Sequence, residues 1–231
     1  FEKILKHCTD NDIIFISTPY NYEDVEFLES YDVPAYKLSS MHSLEPSFAN
    51  YVAKKGKPII LSTGMSSLDQ IKETVEAINI TGNKDLALLQ CTTSYPSKIS
   101  EANLKTIKTL EKNFNTIVGF SDHTLGHISA VTSVGLGAKI IEKHLTLDKN
   151  MEGPDHAASL VKEEFRQLIR SIREIEQALG SSSDRTLSQG ELINRENLSK
   201  SIYLKTNIKK GAIFNKKHFE YKSPGQGLQP N

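Results

Sequence analysis

A parallel (β/α)8 barrel is the α/β fold that this 231-residue sequence predicts, on three observations. Short apolar runs recur about every 22 to 30 residues, the length of one strand plus one helix. The runs are apolar throughout rather than alternating, as parallel strands covered on both faces must be. Each run also closes on small or polar residues. A barrel gathers all its strand ends on one face, whereas an open doubly wound sheet concentrates its site at one crevice. No G-x-G-x-x-G and no G-x-x-x-x-G-K-[ST] follows any run.

The opening "FEKILKHCTD" reads as the end of an amphipathic helix. The strands follow as "IIFIST" 13–18, "AYKLSS" 35–40, "PIILST" 58–63, "LALLQCT" 86–92, "TIVGFSDH" 116–123 and "KIIEKHLT" 139–146. Between them, 68–78 carries Leu68, Ile71, Val75 and Ile78 on one helical face, with Ser66 or Ser67 placed to cap it. The segment 104–114 does the same with Leu104, Ile107, Leu110 and Phe114. Val161, Phe165, Leu168, Ile169, Ile172, Ile175 and Leu179 trace a long amphipathic helix after the last strand. "GSSSD" then opens a linker over 181–198, and 199–231 holds short β-like runs and turn residues, a smaller module. Only six of eight strands are visible. At a typical barrel size of ~250 residues, two strands with their helices are expected ahead of Phe1, and the end at Asn231 also reads as a cut.

Composition narrows the function. Formal charge is zero, which argues against nucleic acid as the main partner, and no run approaches the ~20 apolar residues of a membrane span. Two cysteines make no disulfide framework, so a reducing cytoplasm is expected. The charge is unevenly spread: 181–231 carries a net +5 and the remainder −5, which suits a basic module lying near an anionic ligand.

The strand ends supply the chemistry. Thr18, Lys37, Ser39 or Ser40, Ser62 or Thr63, Thr92 or Thr93 and Ser121 set hydroxyls in phase with one lysine, a pattern suited to a phosphate. His123 and His144 stand on successive strands, where two neutral imidazoles can share a divalent ion and leave positions open for water and substrate. Asp122 and Glu142 are expected to point the other way on a regular strand, as structural or supporting groups. The loop "NMEGPDHAASL" 150–160 carries Asp155 and can fold back over the barrel mouth, while Cys91 is expected to serve packing, with no base beside it.

In this order, "FISTPY", "YKLSS", "KPIILSTGMSS", "CTTSYP", "GFSDHT", "IEKHLT" and "GPDHAASL" resemble the motifs of the sialic acid synthases. The tail "NIKKGAIFNKKHFEYKSPGQGL" is similar to the start of the antifreeze-like (SAF) domain that follows the barrel in that family. The resemblance implies condensation of phosphoenolpyruvate with an N-acetylated amino sugar, N-acetylmannosamine or a 2,4-diacetamido sugar. The products would be a nonulosonic acid, such as N-acetylneuraminate, and phosphate. It implies Mn2+ or Mg2+ held by His123 and His144, polarising the open-chain sugar's aldehyde for attack by C3 of phosphoenolpyruvate. Thr18, Lys37, Ser40, Ser62 and Ser121 would hold the phosphoenolpyruvate, Tyr95 and Asp155 would face the sugar, and Thr93 would also bind substrate. It further implies a homodimer in which the SAF domain of one subunit caps its partner's site.

Departures from the family pattern bear on specificity. Ser40-Met41-His42 stands where the family commonly continues Ser-Gly-Glu, Thr93 stands where many members have Asn, and Lys200 and Ser223 stand where Arg is common. The family's early strands carry a catalytic glutamate and another lysine, so the stretch read alone is expected to be inactive. Two other classes fit less of the pattern: a 3-deoxy sugar-acid synthase using phosphoenolpyruvate and a phosphorylated sugar, and a non-catalytic carbohydrate-binding barrel.

Overall fold

Five of the six apolar runs become strands in a computed structural model that describes residues 1–181 and 184–230. They are β1 (Tyr36–Leu38), β2 (Ile59–Ser62), β3 (Leu86–Cys91), β4 (Ile117–Asp122) and β5 (Ile140–Lys143), all parallel and paired in chain order. The sixth, 13–18, does not form one. Only Ser17 pairs, in a single parallel bridge to Tyr36, and Ile13 and Ile14 remain exposed. A strand needs ladder bonds along its length. Here the three-residue β1 offers Lys37 N to Ser17 O at 3.2 Å, and no described strand lies on the other side.

Around the sheet run α1 (Glu2–Asp10), α2 (Tyr22–Glu29), α3 (Pro46–Ala53), α4 (Leu68–Asn79), α5 (Thr106–Phe114), α6 (Ile128–Gly135) and α7 (Lys162–Leu179). Local chemistry fixes their starts. The Asn21 side chain accepts from Asp24 N, Pro46 opens α3, and Ser67 with Gln70 forms a reciprocal capping box that settles the choice between Ser66 and Ser67. Tyr36, Leu38, Ile59, Leu61, Leu86, Leu88, Val118 and Phe120 face the helices and pack with Val25, Phe48, Val52, Ile71, Ile78, Ile107 and Leu110 in one buried cluster. Alternate residues of the same strands therefore face inward.

The sheet curls. β1 and β5 lie at opposite edges, four strand spacings apart, which would be about 19 Å in a flat sheet. Yet Lys37 Nζ on β1 lies 3.4 Å from Glu142 Oε2 on β5. Five strands bent into such an arc bring their C-terminal ends around one point.

The chain divides into two units, Phe1–Gly180 and Ser181–Asn231. In the second, α8 (Gln189–Leu198) starts at Ser188, whose side chain accepts from Glu191 N. The linker expected over 181–198 is therefore half helix, started by the Ser188–Glu191 capping box; Ser182 and Ser183 of that linker lie outside the described residues. Two antiparallel strands, β6 (Ser201–Leu204) and β7 (Phe219–Lys222), complete the unit. Among the described residues no helix is long and apolar enough to cross a membrane.

Candidate active site

The inward positions of all five strands open on one pocket of about 440 Å³. Thr18, Lys37, Ser40, Ser62, Thr93, Tyr95, Ser121, His123 and His144 line it, together with Cys91 and Glu142. Asp155 is not on its wall, but the loop turns back so that Asp155 Oδ2 stands 3.9 Å from His144 Nδ1.

One side of the pocket is built from donors. Lys37 is largely buried; its Nζ donates to Ser62 Oγ at 2.8 Å and to the Leu38 carbonyl at 2.9 Å. Burial pulls this ammonium below the ordinary lysine range, and the Glu142 carboxylate only partly offsets the pull. Ser121 Oγ donates to Glu142 Oε1 at 2.7 Å, and Ser40 Oγ accepts from Gly64 N at 3.1 Å. Gly64 is a site residue the sequence did not flag. A Cβ there would sit 2.3 Å from Thr93 Oγ1 and 2.8 Å from Ser40 Oγ, so glycine alone lets these two hydroxyls approach.

The other side is aromatic. The His123 and His144 rings lie 5.3 Å apart, with Tyr95 at 4.2 Å from the first and 5.9 Å from the second. His123 Nδ1 donates to the Thr92 carbonyl at 2.9 Å; a carbonyl only accepts, so Nδ1 carries the hydrogen and Nε2 keeps its lone pair. Burial opposes a charged His123, but the Cys91 thiol and the Thr92 carbonyl outweigh it and hold His123 above the ordinary histidine range. His144 goes the other way. Burial lowers it, the neighbouring His123 adds to the effect, and Asp155 opposes it. Among the described residues no group of three His, Cys, Asp or Glu is gathered for a metal. The two imidazoles, one already oriented by a carbonyl, offer two nitrogen donors to a divalent ion, with water and substrate oxygens left to supply its remaining ligands.

Two expectations need correction. Glu142 does not point away from the pocket: it is two residues from His144, not one, so strand period puts both on the inner face. Asp122 does point away, as expected, and meets Lys143, its register partner on β5. Their charged ends lie 3.0 Å apart with neither side chain more than 1% exposed, and Asp122 Oδ1 also accepts from Thr124 N and Oγ1. Cys91 does not serve packing alone: it lines the pocket, with the protonated His123 Nδ1 3.8 Å from its sulfur. Burial pushes the thiol up, but bonds from His123, Ser40 and Ser121 outweigh it and bring it below its ordinary range. His42, standing at the position of the family's acid, is not on the pocket wall. It is fully buried between Tyr20 and Phe48, with Nδ1 3.1 Å from Ser39 Oγ and no hydrogen-bond partner for Nε2.

Comparison with known proteins agrees with this architecture. The chain is 44% identical over 230 residues to an uncharacterised protein of Methanocaldococcus jannaschii, covering 99% of this chain and 68% of that one. It is 39% identical over 229 residues to the N,N'-diacetyllegionaminic acid synthase of Campylobacter jejuni, covering 98% and 68%. The crystal structure of the N-acetylneuraminic acid synthetase of Leptospira borgpetersenii superposes with a TM-score of 0.79 at 28% identity, over 85% of this chain and 69% of that one. The chain thus spans about two thirds of the length of these relatives. The NeuB family pattern matches residues 1–184, which hold the curled sheet and every pocket residue named above, and the chain belongs to the NeuB family.

Proposed function

We propose that this protein is a nonulosonic acid synthase, condensing phosphoenolpyruvate with an N-acetylated amino sugar and releasing phosphate. The observation that carries this reading is the meeting, in one pocket, of a lysine–hydroxyl cradle and an imidazole pair on neighbouring strands. The named synthases among its relatives support it.

In this reading Lys37, Ser62, Ser121, Ser40 and Thr18 hold the phosphate and carboxylate of phosphoenolpyruvate, the ammonium supplying charge and the hydroxyls direction. Tyr95 and Thr93 line the sugar's side, and Asp155 reaches toward it beside His144. His123 and His144 would hold a divalent ion, Mn2+ or Mg2+, which would supply Lewis-acid polarisation of the sugar aldehyde. The enol-phosphate π electrons form the new bond from C3 to the aldehyde carbon, whose oxygen takes a proton. Water then adds at C2. As the C2–O bond to phosphate breaks, both of the water's hydrogens are given up, one balancing the proton taken by the aldehyde oxygen and one leaving with inorganic phosphate, so that C2 becomes the keto carbon. Chain residues act here by orientation: the cradle fixes the phosphoenolpyruvate and with it C3, and Tyr95 beside the two imidazoles lines the side from which the aldehyde approaches. The net +5 of 181–231 supports a further assignment, that the second unit serves as a SAF-type cap over the site of a partner subunit in a homodimer.

The test is phosphate release by the full-length protein given phosphoenolpyruvate, Mn2+ and a panel of N-acetylmannosamine and 2,4-diacetamido sugars. Release that depends on one of these sugars is expected. Absence of release with every sugar, including phosphorylated ones, overturns the reading.

A further inference from the structure

The cradle already holds an anion of its own. Ser121 Oγ, 2.7 Å from Glu142 Oε1, and Lys37 Nζ, 3.4 Å from Glu142 Oε2, are two of the groups assigned above to the phosphoenolpyruvate. The carboxylate thus spans β4 and β1 from its place on β5, in the space an incoming phosphate needs. A phosphate bound to the same ammonium and hydroxyl would stand within a few ångströms of a like charge, in a pocket where burial weakens screening. The two anions therefore compete for the same ammonium and hydroxyl.

Lys37 shows what Glu142 does in the meantime. Its side chain is 13% exposed and its other partners, Ser62 Oγ and the Leu38 carbonyl, are neutral, so Glu142 is the anion nearest this buried ammonium. Glu142 itself is 42% exposed and borders the open space of the pocket. We propose that Glu142 is an internal placeholder: its carboxylate fills the anion cradle and neutralises Lys37 until the substrate's phosphate or carboxylate displaces it. This rests on the cradle assignment above and adds a competitor to it. Displacement makes anion affinity the difference between two occupants of one site, so removing the first strengthens the second. An anion that cannot displace the carboxylate leaves the cradle shut, which gives the site a means of rejecting weak anions.

The test is calorimetric titration of the full-length protein with inorganic phosphate, without sugar or metal. Glu142→Gln keeps the shape and removes the charge; Glu142→Ala removes the group. Both are expected to bind phosphate on the order of ten-fold tighter than the wild type, and Lys37→Met to lose binding. Glu142→Gln and Glu142→Ala binding phosphate no tighter than wild type, while Lys37→Met still abolishes it, overturns the placeholder and keeps the cradle. A gain in Glu142→Gln alone also overturns it, since the new amide donor then explains the gain. Phosphate binding untouched by Lys37→Met would instead sink the cradle assignment, and the placeholder with it. Unchanged far-ultraviolet circular dichroism identifies the variants that remain folded.

Discussion

Removing Asp122 strands a buried ammonium, and the cost follows from the surroundings. Lys143 Nζ meets Asp122 Oδ2 at 3.0 Å and the Thr124 carbonyl, with its side chain 1% exposed. Asp122→Ala leaves only the carbonyl, and breaking a buried pair from one side costs about 3–5 kcal/mol. For a unit of this size each kcal/mol lowers Tm by roughly 2–4 °C, so a fall of about 6–20 °C is expected. Lys143→Met falls nearer the lower end, because Asp122 keeps its two bonds from Thr124. Replacing both, as Asp122→Leu with Lys143→Met, removes the stranded charge and is expected to recover most of the loss. The chain has no tryptophan, so urea and thermal unfolding are followed by circular dichroism. An Asp122→Ala protein within about 1 kcal/mol of wild type would refute the view that this pair is buried and coupled.

Other outcomes bear on the pocket directly. Lys37→Met is expected to raise the KM for phosphoenolpyruvate roughly 10- to 150-fold in steady-state kinetics, as for a hydrogen bond to a charged group. Lys37 lies below the ordinary 10.5 through burial, so anion affinity in titrations across alkaline pH falls earlier than for an exposed lysine. The stability sign is opposite. The unfolded chain holds this proton more tightly, so the contribution to folding is complete above 10.5 and lost as pH falls through the depressed folded value. His144→Ala, removing one of two imidazoles, is expected to weaken Mn2+ binding at least ~10-fold by electron paramagnetic resonance titration. Gly64→Ala drives a methyl into Thr93 and Ser40; a loss of about 1–3 kcal/mol in urea unfolding is expected, with weaker phosphoenolpyruvate binding.

What the sequence made legible was whatever strand period and local turn chemistry decide. Apolar runs marked β1 to β5, Ser66 or Ser67 marked the start of α4, and polar strand ends marked the pocket wall, because each signal is carried within a few neighbouring residues. The segment 13–18 reads as strand by itself, yet pairing belongs to its neighbours, and only Ser17 finds one. The role of Gly64 was hidden for the same reason: its need arises from Ser40 and Thr93, which are distant in sequence. The closeness of Cys91 to His123 is a contact between β3 and the end of β4, invisible to a reading along the chain.

The deepest lesson lies in the parity of β4 and β5. Their register sets Ser121 against Glu142 and Asp122 against Lys143. One parity, Ser121, His123, Glu142 and His144, faces the pocket; the other, Asp122 and Lys143, is fused into a buried ion pair on the reverse. The pair locks the two strands in the one register that sets His123 beside His144. A slip of one residue would turn every pocket group to the helix side and bury their charges without partners. The hydrogen bond from Ser121 to Glu142 on the front and the ion pair on the back thus enforce the same alignment from opposite faces. This is why a histidine spacing that looks like a catalytic signature in the sequence is, in the folded chain, equally a constraint on how two strands pair.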